Sequence, residues 1–227
     1  MLENIPKDLK THAFVLRRTN YGEADRIINL ISPVGKIAVM AKGVRKPKSK
    51  LAGGIEMFSL TNVNLHFGKS EMAVLTGAKM EKFYGEILKD LTRMELASEM
   101  LKKINKASDS VDSAGFFEIL KSGLSALDSG CDIRLVDAWF NLNLMKIVGE
   151  EVNLYRDING EQLKVDLKYS WNNMEMAFYP DDSGDIDANV IKILRLLISA
   201  DLDVVRRIKH ISNYVEVLND FSKMVVK

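Results

Sequence analysis

The chain has 227 residues and a mass of 25.6 kDa, enough for one large domain or two small ones with a real core. Hydrophobic residues make up 47% and charged residues 28%, a globular balance, and no apolar run approaches the ~18 residues of a membrane span. A single cysteine, Cys131, excludes an internal disulfide and any zinc site built from several thiolates. The net charge of +1 is unevenly divided: residues 1–83 hold 14 Lys and Arg against 7 Asp and Glu, giving +7, and residues 84–227 carry −6. Asymmetry of this kind points to a basic module that meets a polyanion, joined to a mildly acidic body. Residues 1–8 have neither the apolar core nor the cleavage site of a signal peptide, so a cytoplasmic location is expected.

In chain order, residues 11–18 form an apolar, β-rich strand that ends in Arg17 and Arg18, and Asn20-Tyr21-Gly22-Glu23 is turn chemistry. Residues 26–32 make a second strand, stopped by Pro33 and Gly35, and residues 36–42 a third. After a break at 43–56, residues 57–67 and 71–79 read as two more strands, separated by the hairpin loop Gly68-Lys69-Ser70. Five short strands with closely spaced turns predict a small β-barrel; periodicity does not separate an OB-type barrel from an SH3-like one. The predicted barrel domain spans residues 1–82 and a helical domain residues 83–227.

From about residue 84 the apolar period becomes 3.6. One face runs through Leu96, Met100, Leu101 and Ile104. Phe116, Phe117, Leu120, Leu124 and Leu127 make a second, after the N-capping pair Asp112-Ser113. Ile133, Val136, Phe140, Leu144 and Ile147 make a third, with Gly149 as its stop. Val190, Ile193, Leu194, Leu197 and Ile198 follow a cap near Asp187, and Val204, Ile208, Ile211, Val215 and Leu218 place a last helix. Such faces bury one another in a helical bundle. Residues 153–184 interrupt it as a small β insertion: Asn159-Gly160 is a hairpin signal, and Leu163, Val165 and Leu167 are predicted to pair with Met176 and Phe178 across a turn at Asn172-Asn173.

The strongest local feature is residues 26–55, which hold Arg26, Lys36, Lys42, Arg45, Lys46, Lys48 and Lys50 and no acid before Glu56. Five of these fall in 42–50 among Gly43, Pro47 and Ser49, the composition of a mobile loop, and such side chains suit phosphate contact without base readout. A solvated basic loop that binds nothing is the bland alternative. Phe14, Tyr21 and Phe58 are stacking candidates, with barrel core the stronger reading for the two phenylalanines. Arg17 and Arg18 point to opposite sides of their strand, so at most one faces a ligand there. Further along, Lys192, Arg195, Arg206, Arg207 and Lys209 put basic side chains beside apolar helix faces, where an acidic, hydrophobic peptide would fit; plain solvated surface is the competing reading.

No catalytic residue emerges. Gly68-Lys69-Ser70 imitates the end of a P-loop, but Val63 stands where the first glycine belongs. Counted from Asp181, the acidic run has Ile186 and Lys192 where a calcium loop needs Gly and Glu, so it reads as a solvated turn and helix cap. His12, His66 and His210 show no metal-ligand spacing. No cofactor and no metal are implied.

The N-terminal blocks resemble the bacterial RecO family of DNA repair and recombination mediators. The resemblance is carried by Arg17, Tyr21-Gly22-Glu23 with Asp25, Gly35-Lys36, Ala41-Lys42-Gly43-Val44-Arg45, Ser49 with Leu51, Gly53 or Gly54, and Phe58, over about residues 11–84. It implies an α+β fold: a five-stranded OB-type barrel, then an α-helical bundle with a small β insertion. It also implies a non-enzymatic protein, at the nucleoid in the cytoplasm, that binds single- and double-stranded DNA and anneals complementary strands. RecR and the C-terminal tail of single-stranded DNA-binding protein are the implied partners, with RecA the recombinase loaded. Many such proteins carry a four-cysteine zinc module, which the single cysteine here excludes, leaving the insertion in its place. Other classes remain open: an interaction adaptor whose basic barrel binds acidic partners, or an RNA-binding OB protein.

Overall fold

Alternating apolar residues in the first third close into a barrel. The computed structural model describes residues 6–68, 70 and 72–226. Residues 1–5 of the opening stretch, Lys69 of the predicted hairpin loop and Glu71 of the predicted fifth strand lie outside the described residues. The strands are β1 (Asp8–Tyr21), β2 (Asp25–Ser32), β3 (Gly35–Ala41), β4 (Ser59–His66) and β5 (Ala73–Phe83). Their order is β1-β2-β3-β5-β4, closed by antiparallel β1–β4 pairing, with β3 and β5 parallel through Val39↔Ala73 and Met40↔Val74. This is an OB-type barrel. Inward-facing Ala13, Val15, Ile28, Leu30, Ile37, Val39, Val63, Leu65 and Leu75 fill it, and Val44 and Ile55 pack into the same core from the β3–β4 connection. Gly54 is needed in that connection, because a Cβ there would lie 2.6 Å from the Ala78 main chain.

Helix α1 (Leu91–Ala107) starts at Asp90, whose carboxylate accepts the Arg93 N–H at 3.1 Å, and α2 (Gly115–Asp128) starts after Ser113, whose hydroxyl accepts the Gly115 N–H at 3.1 Å. Phe14 lies between inward-facing Ala13 and Val15, so it faces outward, against Phe117 of α2 (5.4 Å between centroids) and Tyr84 (6.1 Å). Phe14 and Phe58 are both buried, but Phe14 packs on the outer face of the barrel and not inside it, which corrects the sequence expectation for that residue. Burial raises the Tyr84 hydroxyl above its ordinary pKa, against the hydrogen bond from Ser125 that lowers it. The chain divides into two compact units, Met1–Asp128 and Ser129–Lys227, so α1 and α2 group with the barrel.

The second unit holds α3 (Ile133–Val148), β6 (Tyr169–Asn172), β7 (Ala177–Pro180), α4 (Ala188–Ser199), α5 (Leu202–Val205) and α6 (Val215–Val225). Gly149, at φ +85°, ends α3 as predicted. Asp187 caps α4 by accepting the Asn189 and Val190 N–H groups at 2.8 and 2.9 Å. The carbonyls at the end of α4 are satisfied from α3: Asn143 donates to Leu197, Lys146 to Ile198 and Trp139 to Ala200. Between α3 and α6, buried Asn141 donates to Asp137 at 2.9 Å and to the Ser222 hydroxyl at 3.4 Å.

Two sequence expectations fail in this unit. The strand partnered with β7 is Tyr169–Asn172, not 163–167, and Val165 is 77% exposed. Packing decides it: Trp171 meets Phe178 and Phe221 of α6 edge-on and those two stack on each other, with centroids 5.0–5.5 Å apart, a burial that Leu163 and Val165 do not have. The turn signals themselves hold, with Arg156 bridged to Gln162 across Asn159-Gly160 and Asn172 accepting the Met174 and Glu175 N–H groups. The last helix is also not continuous. α5 stops at Val205, His210 takes a left-handed φ of +59°, and α6 begins at Val215, so Val204 is exposed although its spacing fits.

Candidate nucleic-acid interface

The β1–β2 turn and the basic β3–β4 connection meet at one end of the barrel. The Gly43 N–H donates to the Asp25 carboxylate at 2.6 Å, with Gly43 at φ +63°. The Arg45 main-chain N–H donates to the Ala24 carbonyl at 2.9 Å, and its guanidinium to the Gly22 carbonyl at 3.2 Å. The Lys46 N–H donates to the Gly43 carbonyl and the Ser49 N–H to the Lys46 carbonyl, which folds the segment between β3 and β4 into successive turns. The main chain is thus fixed while the side chains of Lys42, Arg45, Lys46, Lys48 and Lys50 stay exposed. Beside them Tyr21, 54% exposed, presents its ring at the tip of the β1–β2 turn.

Strand register sorts the other basic residues. Arg17 pairs with Asn29, which alternates with inward-facing Ile28 and Leu30, so Arg17 lies on the outer face with Thr19 and Tyr21. Arg18 pairs with inward-facing Ile28 and reaches the barrel mouth, where it donates to the Ile55 carbonyl and to Glu56 at 3.3 and 3.2 Å. Arg26, paired with Asn20, donates to the Asn20 side chain at 3.1 Å. Lys36 is set apart. Its ammonium donates to the Asn105 carbonyl and to Asp109, both at 2.6 Å, at the end of α1, with 14% of its side chain exposed. Lys36 therefore neutralises a helix C-terminus in this structure. Together with the Asn29–Asn105 hydrogen bond at 3.0 Å, it marks the part of the β2–β3 outer face that α1 covers.

The residue that sequence reasoning missed is Asp25. It entered only within the resemblance, whereas in the structure its carboxylate holds the basic segment against the turn. An acid followed 18 residues later by a glycine carries no local signal of pairing. Glu56, which offsets Arg18, was likewise unread.

In the second unit the five predicted peptide contacts are not gathered at one cavity. Arg195 donates to the Leu154 carbonyl at 3.1 and 2.8 Å and stacks over Tyr155 at 4.5 Å. Arg206 pairs with Asp203 at 2.9 Å and lines a cavity of about 270 Å³ beside Cys131 and Asp132, which the other four do not line. Lys192, Arg207 and Lys209 are exposed. Asp181 and Asp187 serve as turn and cap: hydrogen bonds from the Ser183 and Ser170 hydroxyls and the Ser183 N–H hold the Asp181 carboxyl below its ordinary pKa. His12 and His66 pair with Glu81 and Asp8 at 2.8 and 2.6 Å. Among the described residues no group of three His, Cys, Asp or Glu side chains could hold a metal ion. The insertion does not fit a four-cysteine zinc module either; the Trp171–Phe178–Phe221 ring cluster supplies its core. No helix among the described residues is long and apolar enough to cross a membrane.

Residues 7–84, the barrel, match the family model described as Recombination protein O N terminal. Over 212 residues the chain is 30% identical to a DNA repair protein RecO of Dehalococcoides mccartyi (strain ATCC BAA-2266 / KCTC 15142 / 195), covering 90% of this chain and 83% of that protein. A RecO of Roseiflexus sp. (strain RS-1) is 31% identical over 147 residues, covering 64% of this chain and 52% of the relative. One of Acetivibrio thermocellus is 40% identical over 98 residues, covering 43% and 39%.

Proposed function

The chain belongs to the RecO family of DNA repair proteins, and on that premise we propose that its barrel binds single- and double-stranded DNA and anneals complementary strands without catalytic chemistry. The family places the protein in DNA repair and recombination. The observation that carries the finer reading is the Asp25–Gly43 tie, which sets exposed Tyr21 beside Lys42, Arg45, Lys46, Lys48 and Lys50. Cations on a fixed main chain neutralise phosphates on two strands at once, lowering their repulsion while bases pair. Tyr21 offers a stacking face worth about 1–3 kcal/mol to an unpaired base, without sequence preference. Arg17 extends the contact along the outer face, with Arg18 and Arg26 at the barrel mouth.

On the same reading the protein acts at the nucleoid with RecR and helps load the recombinase on strands coated by single-stranded DNA-binding protein. The exposed Lys192, Arg207 and Lys209 are the residues left to meet that protein's acidic tail. The test is annealing of two labelled complementary oligonucleotides, with wild type and with Arg45, Lys46, Lys48 and Lys50 changed to alanine. Acceleration by wild type that the quadruple variant loses supports the reading. A wild type that binds neither strand and anneals nothing overturns it and turns attention to acidic protein partners.

A further inference from the structure

The outer face of the barrel carries an apolar row that strand alternation does not call for. Thr19, Ile27, Met40 and Val74 are successive cross-strand partners over β1, β2, β3 and β5. Ile28, Val39 and Ala73, the sequence neighbours of the last three, fill the barrel, so the row faces outward. At ~4.8 Å between strands it spans about 14 Å. Polar side chains are the rule on the solvent face of such a sheet, yet three of these four are apolar. Ile31 gives the contrast on the same strand. It also points outward, opposite Phe14 and Lys36, but it is fully buried, in the part of the face that α1 covers. Ile27, Met40 and Val74 are only half-buried, and Thr19 is exposed. Cations border the row on both sides: Lys42 lies just beyond Met40, and Arg17 lies two residues from Thr19 with Tyr21 on its other side, all three exposed. Asp25, opposite Tyr21, is engaged by the Gly43 N–H at 2.6 Å.

We propose that this row is a floor for unpaired bases, with Ile27 and Met40 at its centre, and that it makes the barrel favour single-stranded over duplex DNA. The inference rests on the DNA reading above and adds a selectivity to it. The bordering cations hold phosphates of either form. An unpaired base has an apolar face to lay on Ile27 and Met40, whereas a duplex keeps its base faces inside the stack and presents phosphates and groove edges. The row therefore contributes to single-strand binding alone. It carries no charge, so its contribution leaves the salt dependence to the cations.

The test compares the full-length protein with the double variant Ile27→Thr and Met40→Gln, titrating labelled single-stranded and duplex oligonucleotides of one length over a salt series. Thr keeps the β-branch of Ile, and Gln keeps the length of Met. Single-strand affinity should fall about tenfold, the scale of one lost base contact, while duplex affinity stays within about twofold and the salt slope stays that of wild type. Unchanged single-strand affinity overturns the proposal and leaves the row to a protein partner. An equal loss on both DNAs overturns it too, since the row would then not discriminate. Should the variant fold poorly by circular dichroism, the Tyr21→Ala protein decides. With the row intact it should bind an ordinary strand more tightly than a base-free strand of the same length, and equal binding overturns the proposal. Failure of the DNA reading itself looks different, because wild type then binds neither DNA.

Discussion

The barrel end and the β6–β7 hairpin both lie at the surface, yet they are held by opposite means. At the barrel end, main-chain hydrogen bonds and one carboxylate fix the backbone, and five flexible cations project from it with little apolar surface. At the hairpin, rings packed at 5.0–5.5 Å hold the strands against α6, and Asp185, Glu216 and Asp220 lie exposed beside them. The units that carry them differ in the same direction: residues 1–128 hold 20 Lys and Arg against 15 Asp and Glu, net +5, and residues 129–227 hold 12 against 16, net −4. The contrast teaches that a basic surface for a polyanion can rest on turns, because phosphate contact tolerates flexible side chains, whereas a hairpin of two short strands needs a packed ring cluster to hold it.

The comparison breaks hardest at the rings. Phe178→Ala removes a fully buried ring that meets Tyr169, Trp171 and Phe221, and should cost about 3–5 kcal/mol in a denaturant titration while leaving the barrel's DNA affinity intact. A loss under 1 kcal/mol would show that the rings do not hold the insertion. At the barrel end, Asp25→Ala strips a charged acceptor from the part-buried Gly43 N–H and should cost about 1.5–3 kcal/mol, with weaker DNA binding as the basic turns loosen. Lys36→Ala sharpens the distinction within the basic set: the side chain serves the end of α1, so about 1 kcal/mol of stability should go while affinity for single-stranded DNA is retained. A variant that loses affinity and keeps its stability would move Lys36 into the interface.

The smallest effect is at the start of α3. Asp132 is pulled upward by partial burial, but the hydrogen bonds and charge of Arg134 outweigh this and hold its carboxyl below the ordinary 3.8. A depressed folded value contributes stability above the unfolded value and loses it as pH falls through the folded one. Asp132→Ala should therefore lower stability at neutral pH by the ~0.5–1 kcal/mol of an N-cap, read in denaturant titrations, and that difference should close as the pH is taken below 3.8. A difference that persists in acid would assign the cap's contribution to something other than its charge.

Local signals were readable wherever a segment's neighbours in sequence are also its neighbours in space. The β1–β3 meander follows from alternation and turn residues, and the caps at Ser113, Asp187 and Gly149 fall where side-chain chemistry places them. The parallel β3–β5 pairing that makes the barrel OB-type joins residues 34 positions apart and leaves no period behind. Val165 alternates as well as any strand residue, but Phe221 on α6 decides that Trp171 is buried instead. Likewise Val204 to Leu218 keep a helical period across a chain that breaks at His210. Of the candidate site, the basic residues of 42–50 were legible from charge density, whereas Asp25, which presents them, was legible only in three dimensions.

The central claim, that the 42–50 turns are the DNA contact, is tested most directly by titrating labelled single-stranded DNA over a salt series. Wild type and the variant with Arg45, Lys46, Lys48 and Lys50 changed to alanine are compared. Four lost phosphate contacts should flatten the slope of log Kobs against log salt by roughly 2–3, at about 0.7 per contact. A slope that the four substitutions leave unchanged would contradict the account and place the DNA elsewhere on the chain.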